Sequence, residues 1–184
     1  MIEISYIQMV ITISIIWVMV RTICCVRSKR FDWKRETALI LVYICIVVVV
    51  RFTFCPFGKV NGKIQPLLFD RQKIFPLWLN LKPFAFLFDY PTMREALLNL
   101  IGNVAMFIPL GIIWPAVFQK LDTHIKVIAA GIGVSLCIEL LQLPFFDRAS
   151  DIDDLILNST GFLLGYGIYF LVKRIAAKVR HGGE

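Results

Sequence analysis

Charge is scarce in this chain. Of its 184 residues only 18% are Asp, Glu, Lys or Arg, whereas 58% are hydrophobic, and the mean hydropathy is +0.75. Soluble domains sit nearer half apolar and carry more charge, so this balance excludes an ordinary water-soluble globule. Cysteine supplies no framework. Cys24, Cys25, Cys45, Cys55 and Cys137 contain no C-x-x-C, and four of them lie in or beside apolar runs. They read as small buried thiols rather than a disulfide or metal scaffold. There is no Walker motif, no nucleophile–base pair, no metal-ligand spacing, no long internal repeat and no low-complexity segment. The sequence therefore specifies no cofactor. The first apolar run has no basic segment before it and no small-residue cleavage site after it, which predicts a retained span rather than a signal peptide.

Long apolar runs are what the chain has instead. Crossing a hydrocarbon core takes about 20 mostly apolar residues. Five stretches qualify: about 4–26, 37–54, 96–118, 127–146 and 154–172. The expected fold is an all-α polytopic membrane protein of about five transmembrane helices. The net charge of +7 is then read as topology, not as nucleic-acid binding, because basic residues collect on the cytoplasmic side. Arg27, Lys29, Arg30, Lys34 and Arg35 crowd the turn between spans 1 and 2, and Lys173, Arg174, Lys178 and Arg180 follow span 5. Their density predicts an outside N-terminus and a cytoplasmic C-terminus in a multi-pass protein.

Residues 55–95 break the pattern. Pro56, Pro66, Pro76, Pro83 and Pro91 forbid a long helix, and Val60-Asn61-Gly62-Lys63 is a hairpin signal. The interleaved Phe, Trp78 and Tyr90 predict a structured external loop at headgroup depth between helices 2 and 3. The expected organisation is an N-terminal helix pair over 1–54, this loop over 55–95, a three-helix core over 96–174 and a cytoplasmic tail over 175–184.

Polar residues inside the spans fall on stripes. Asn99 and Asn103 share a face of span 3; Gly131, Ser135, Glu139 and Gln142 share one on span 4; Asp154, Asn158, Gly161 and Gly165 share one on span 5. Arg148, Asp151 and Asp153 fill the turn between spans 4 and 5 and would close over the top. A charge at mid-membrane costs roughly 2.5–3.5 kcal/mol or more. Glu139, one to two turns from the boundary, must therefore pair, hydrate or stay protonated, and Arg148 is the nearest obvious partner. Such a set could bind a phosphate headgroup, hold a divalent cation or perform acid–base chemistry. The bland alternative is interhelical glue at about 0.6 kcal/mol per hydrogen bond. For the Asp151-Ile-Asp153-Asp154 run it is helix capping. Asn158-Ser159-Thr160 matches a glycosylation pattern but lies inside a predicted span, so it is set aside. His124 reads as a solvated residue in a polar turn.

In order, the chain carries Asn80-Leu-Lys-Pro83-Phe84, then Asn99-x-x-Gly102-Asn103-x-x-x-Phe107-x-Pro109-x-Gly111. Glu139-x-x-Gln142 follows, and then Arg148-x-x-Asp151-x-Asp153-Asp154-x-x-x-Asn158-x-x-Gly161-x-x-x-Gly165. This ordered set resembles the VanZ-like family of bacterial membrane proteins, over about the C-terminal two-thirds of the chain. The resemblance implies a role in lowering susceptibility to teicoplanin-type lipoglycopeptides without remodelling of the peptidoglycan precursor; the charge topology, not the resemblance, places the Glu139–Asn158 cluster near the external face. The partners expected beside the bilayer are an envelope lipid, a lipid-linked cell-wall precursor or the lipoglycopeptide itself. The roles expected from chemistry are Arg148 for an anionic headgroup, Glu139 as acid–base residue, and Asp151 and Asp154 for a cation or for orienting Arg148. Gln142, Asn99, Asn103, Asn158 and Asp153 would complete the ligand-binding set. Enzyme, proton-coupled transporter or flippase, and structural or partner-binding protein remain open on these residues.

Overall fold

A computed structural model of the chain describes residues 2–28, 32–55, 59–60, 62–74, 79–84, 90–118, 120–121, 123–146, 148 and 150–181. Lys29, Arg30, Pro56, Asn61, Pro76 and Trp78, singled out above, lie outside the described residues. Five helices are long and apolar enough to cross a bilayer: α1 (Tyr6–Ser28), α2 (Trp33–Phe54), α3 (Met93–Val117), α4 (His124–Gln142) and α5 (Ile152–His181). Short strands accompany them: β1 (Ile2–Ile4), β2 (Lys59–Val60), β3 (Lys63–Ile64), β4 (Leu67–Phe69), β5 (Leu79–Asn80) and β6 (Ser150–Asp151). The chain divides into two compact units. One is Met1–Leu81 with Ile138–Asp151, and the other is Lys82–Cys137 with Ile152–Glu184.

In the first unit α1 and α2 form a hairpin. Ser14 and Tyr43 share a hydroxyl hydrogen bond of 2.7 Å, and Trp17 packs on the Tyr43 ring. The Arg21 guanidinium grips both carboxylate oxygens of Glu36. That fork is the geometry that makes an ion pair worthwhile away from water. α2 begins four residues before its apolar run does, because the Asp32 carboxylate accepts the Lys34 and Arg35 N–H groups and caps the helix. No residue of α1 is buried, so most of its apolar surface faces outward, as a lipid-facing helix requires.

The described residues after α2 include short paired strands. β2 and β3 pair antiparallel with Val60 opposite Lys63, and Gly62 takes the left-handed φ of 73° that such a tight turn needs. β4 pairs antiparallel with β1, the strand that precedes α1. α4 ends at Gln142, short of the predicted 146, because Pro144 cannot continue it. Pro144 and Phe146 instead exchange backbone hydrogen bonds with Asp70 and Leu68 at 2.8 Å each. The Phe145 ring stands edge-on to Phe54 and Phe69.

In the second unit α3 and α5 run parallel at very close approach. A Cβ added at Gly161 would lie 2.1 Å from the Val104 carbonyl oxygen, and one at Gly165 would lie 2.1 Å from that of Ile108. The contact is reciprocal, since a Cβ at Gly111 would meet the Phe162 carbonyl oxygen at the same distance. Small residues let backbones touch where no hydrophobic force drives helices together. The Phe162 ring is wholly buried and fills the space above Gly131 of α4. Pro109 and Pro115 do not end α3; the helix passes through both. Neighbouring helices and local adjustments re-satisfy the carbonyls that such prolines release within a bilayer. α5 is also longer than its apolar run. Ala176, Ala177 and the basic residues around them favour helix and carry it to His181.

Gly161→Ala is expected to destabilise the detergent-solubilised protein by about 1–3 kcal/mol through overpacking against Val104. Gly167→Ala, on the same helix with nothing within 4 Å, should leave the melting temperature almost unchanged. Equal melting of the two variants would refute the glycine seam.

Candidate functional site

The C-terminus of a helix leaves four carbonyls without intrahelical partners, and near a membrane water cannot always take them. At the end of α2 three side chains do. Gln142 Nε2 donates to the Thr53 carbonyl at 2.6 Å, Arg148 Nε to the Phe54 carbonyl at 3.0 Å, and Arg51 to the Cys55 carbonyl at 3.4 Å. Two of the three are cations, which suits the negative end of the helix dipole. Arg51 also lies over the rings of Tyr6 and Phe52. Burial pushes the Cys55 thiol up, an effect opposed by Arg51 and Arg148.

Beside this cap sits the most deeply buried carboxylate of the candidate set. Glu139 is 3% exposed, and its Oε2 accepts the Asp151 backbone N–H at 2.9 Å. Asp151 is held in turn: Asn80 Nδ2 donates to its Oδ2 at 3.0 Å, and β5 and β6 pair in parallel with Asn80 opposite Asp151. The Asn80 of the N-L-x-P-F motif is thus the partner of the first Asp of the D-x-D-D motif.

In the second unit the polar stripes of α3 and α5 meet. Asn103 donates through Nδ2 to the Asp154 carboxylate, and a longer contact of 3.5 Å joins it to Asn99. Asp153, in the first turn of α5, accepts the Phe84 backbone N–H at 2.7 Å. That bond offsets a strained neighbour, since Phe84 has φ 61°, a left-handed conformation that costs a non-glycine residue roughly 1–2 kcal/mol. Deeper in the helices, Ser135 Oγ and Asn158 Oδ1 are buried without a hydrogen-bond partner. Both are acceptors in place for a small donor such as water.

Eight of the nine sequence-predicted residues hold a hydrogen-bond partner, Asn103 from midway along α3, while Asn158 is buried within α5. Glu139, Gln142, Arg148 and Asp151 belong to the first unit, and Asn99, Asn103, Asp153, Asp154 and Asn158 to the second. Sequence reasoning missed the partners more than the residues. Asn80 carries a signal only as part of a motif, Arg51 only as a charge near the end of a span, and the α2 carbonyls have no side-chain signature. It also missed the Arg21–Glu36 pair, whose signal is opposite charge at the facing ends of two spans joined by a short turn. His124 opens α4 rather than lying in the turn before it. Its ring is exposed, but Nδ1 lies 2.6 Å from the Tyr166 hydroxyl and the imidazole packs against Tyr166 and Phe170. Among the described residues no three His, Cys, Asp or Glu side chains gather as a metal-holding group.

Five spanning helices with carboxylates, amides and an arginine collected at their ends define a multi-pass helical membrane protein with a built polar region. The comparisons narrow that class: the VanZ/LLP1 family profile matches residues 40–173, and the chain belongs to this family. It is 34% identical over 93 residues to Protein VanZ of Enterococcus faecium, an alignment covering 50% of this chain and 53% of that protein. The chain thus spans about half the length of this relative. No solved structure matches the chain.

The Asn103–Asp154 contact is testable by a double-mutant cycle. Asn103→Leu and Asp154→Leu are each expected to destabilise by roughly 1–3 kcal/mol by leaving a buried polar group short of a partner. The double variant should recover at least about 0.5 kcal/mol relative to additivity. Strict additivity in thermal or denaturant unfolding would rule the coupling out.

Proposed function

We propose that this protein acts at the outer face of the bacterial cytoplasmic membrane, with its N-terminus outside and its C-terminus in the cytoplasm. There it lowers susceptibility to teicoplanin-type lipoglycopeptides by binding or modifying an envelope lipid or lipid-linked wall precursor. Family membership and the relative named Protein VanZ support the resistance role. The observation that carries the chemistry is Glu139: a carboxylate 3% exposed, fixed by the Asp151 N–H, in the same unit as the Arg148 guanidinium. Ionisable groups at membrane depth default to functional sites. In this reading Arg148 faces the anionic headgroup, Glu139 moves or holds a proton, and Asp151, tied to Asn80, keeps the turn between α4 and α5 in register.

One observation favours a purely structural reading instead. Gln142 and Arg148 both donate to α2 carbonyls, as parts of a helix cap would.

The two readings separate in a sensitive Gram-positive host expressing wild type, Glu139→Gln or Arg148→Ala at matched membrane levels. Glu139→Gln keeps an oxygen to accept the Asp151 N–H, removes the charge and turns the second oxygen into an NH2 donor. The expected result is protection against teicoplanin but not vancomycin by wild type, lost in both variants. Protection retained by both variants would assign the cluster to architecture. No protection by wild type would reject the resistance role.

A further inference from the structure

The far end of α5 carries a second built feature that the polar clusters do not involve. A cleft of about 490 Å³ opens there. Pro115 and Leu121 form its apolar part, and His124, Tyr166, Tyr169 and Lys173 line the rest. All of them belong to one compact unit. Asp154 and Tyr166 are twelve residues apart on a continuous helix, about 18 Å along its axis, so the cleft is remote from the Asn103–Asp154 contact.

Three observations define what the cleft takes. First, α5 has 30 residues, about 45 Å of helix, against a hydrocarbon core of about 30 Å. Its last ten residues or so extend past the core, which puts Tyr169 and Phe170 at the interface, where aromatic rings anchor helices, and Tyr166 about one turn deeper. Second, the charge beyond them has one sign. Residues 166–181 contain Lys173, Arg174, Lys178 and Arg180 and no acid. Among the described residues Lys173 has no carboxylate partner; its ammonium lies over the Tyr169 ring at 5.9 Å. Third, the donors are oriented. The Tyr166 hydroxyl engages Nδ1 of His124 at 2.6 Å, which leaves Nε2 as the ring nitrogen for a ligand. Arg174 is turned aside, over the Phe170 ring.

A cationic ammonium and an imidazole above an aromatic and proline floor match the headgroup of an anionic phospholipid, with phosphate on the donors and glycerol against the rings. We infer that the His124–Lys173 cleft is a binding site for an anionic phospholipid headgroup. The site is independent of the resistance reading, and either can fail without the other. Basic residues next to a membrane surface attract anionic lipid, and a cleft that also fixes the phosphate adds selectivity to that attraction.

The test is native mass spectrometry of the full chain in detergent, titrated with phosphatidylglycerol or with phosphatidylcholine of the same acyl chains. Wild type is expected to bind the first phosphatidylglycerol at least about fivefold more tightly than phosphatidylcholine. Lys173→Gln with His124→Gln should abolish that preference while leaving the melting temperature unchanged, and Lys173→Arg with His124 intact should keep it. Should the double variant unfold, Lys173→Gln alone serves, with a partial loss of preference expected. Equal retention of both lipids by wild type, or an undiminished preference in folded Lys173→Gln protein, would overturn the assignment. So would full displacement of phosphatidylglycerol by soluble glycerol 3-phosphate at equal concentration, which would make the site one for free phosphate.

Discussion

The polar residues of this protein are organised by an obligation of the backbone. A helix that stops near a bilayer leaves carbonyls exposed to a medium that cannot always hydrate them. At the end of α2 the obligation falls on consecutive residues, Thr53, Phe54 and Cys55, and it is met by an amide and two guanidiniums. Once Gln142 and Arg148 are anchored in this way, the chain between them is fixed at both ends. Pro144 and Phe146 then pair with the β4 segment, and Glu139 is left facing the turn that leads into α5. Binding chemistry, where it exists, is built on groups that already hold the scaffold.

The other unit rests on shape more than on hydrogen bonding. Lipid tails are as apolar as leucine, so α3 and α5 gain little by hiding apolar surface from the membrane. They gain by dispersion contact and by backbone proximity. Gly111, Gly161 and Gly165 bring main chain against main chain, and only then can the short side chains of Asn103 and Asp154 reach one another. A larger residue in the seam would separate the polar pair as well as the helices. The stripe of small residues and the stripe of polar residues are therefore one device.

Much of this was legible in the sequence, for a simple reason. The bilayer demands a run of apolar residues, and such runs are visible without any structure, so five helices could be counted and roughly placed. Their ends were less legible, because hydropathy reports the solvent and not the hydrogen bonding. Asp32 starts α2 early by capping it. Pro144 stops α4 early, although Phe145 and Phe146 keep the sequence apolar. The alanines and cations after Val172 extend α5 although hydropathy collapses there. Helical spacing also showed which polar residues share a face, and Glu139, Gln142 and Asn158 are buried as their stripes required. Spacing could not show partners. The acceptor of Gln142 is a main-chain carbonyl 89 positions away, and that of Asn80 is a carboxylate 71 positions away; neither pairing has a local signature.

The forked contact between Arg21 and Glu36 has a consequence for how the chain reaches the membrane. Each charge alone would weigh against placing its end of the helix in hydrocarbon. Joined across a short turn, they present the insertion machinery with a hairpin whose half-buried charges are paired. α1 and α2 then enter most easily as one body. Biogenesis and fold thus select the same pair of residues, and a change at either would be felt before the remaining three helices had been made.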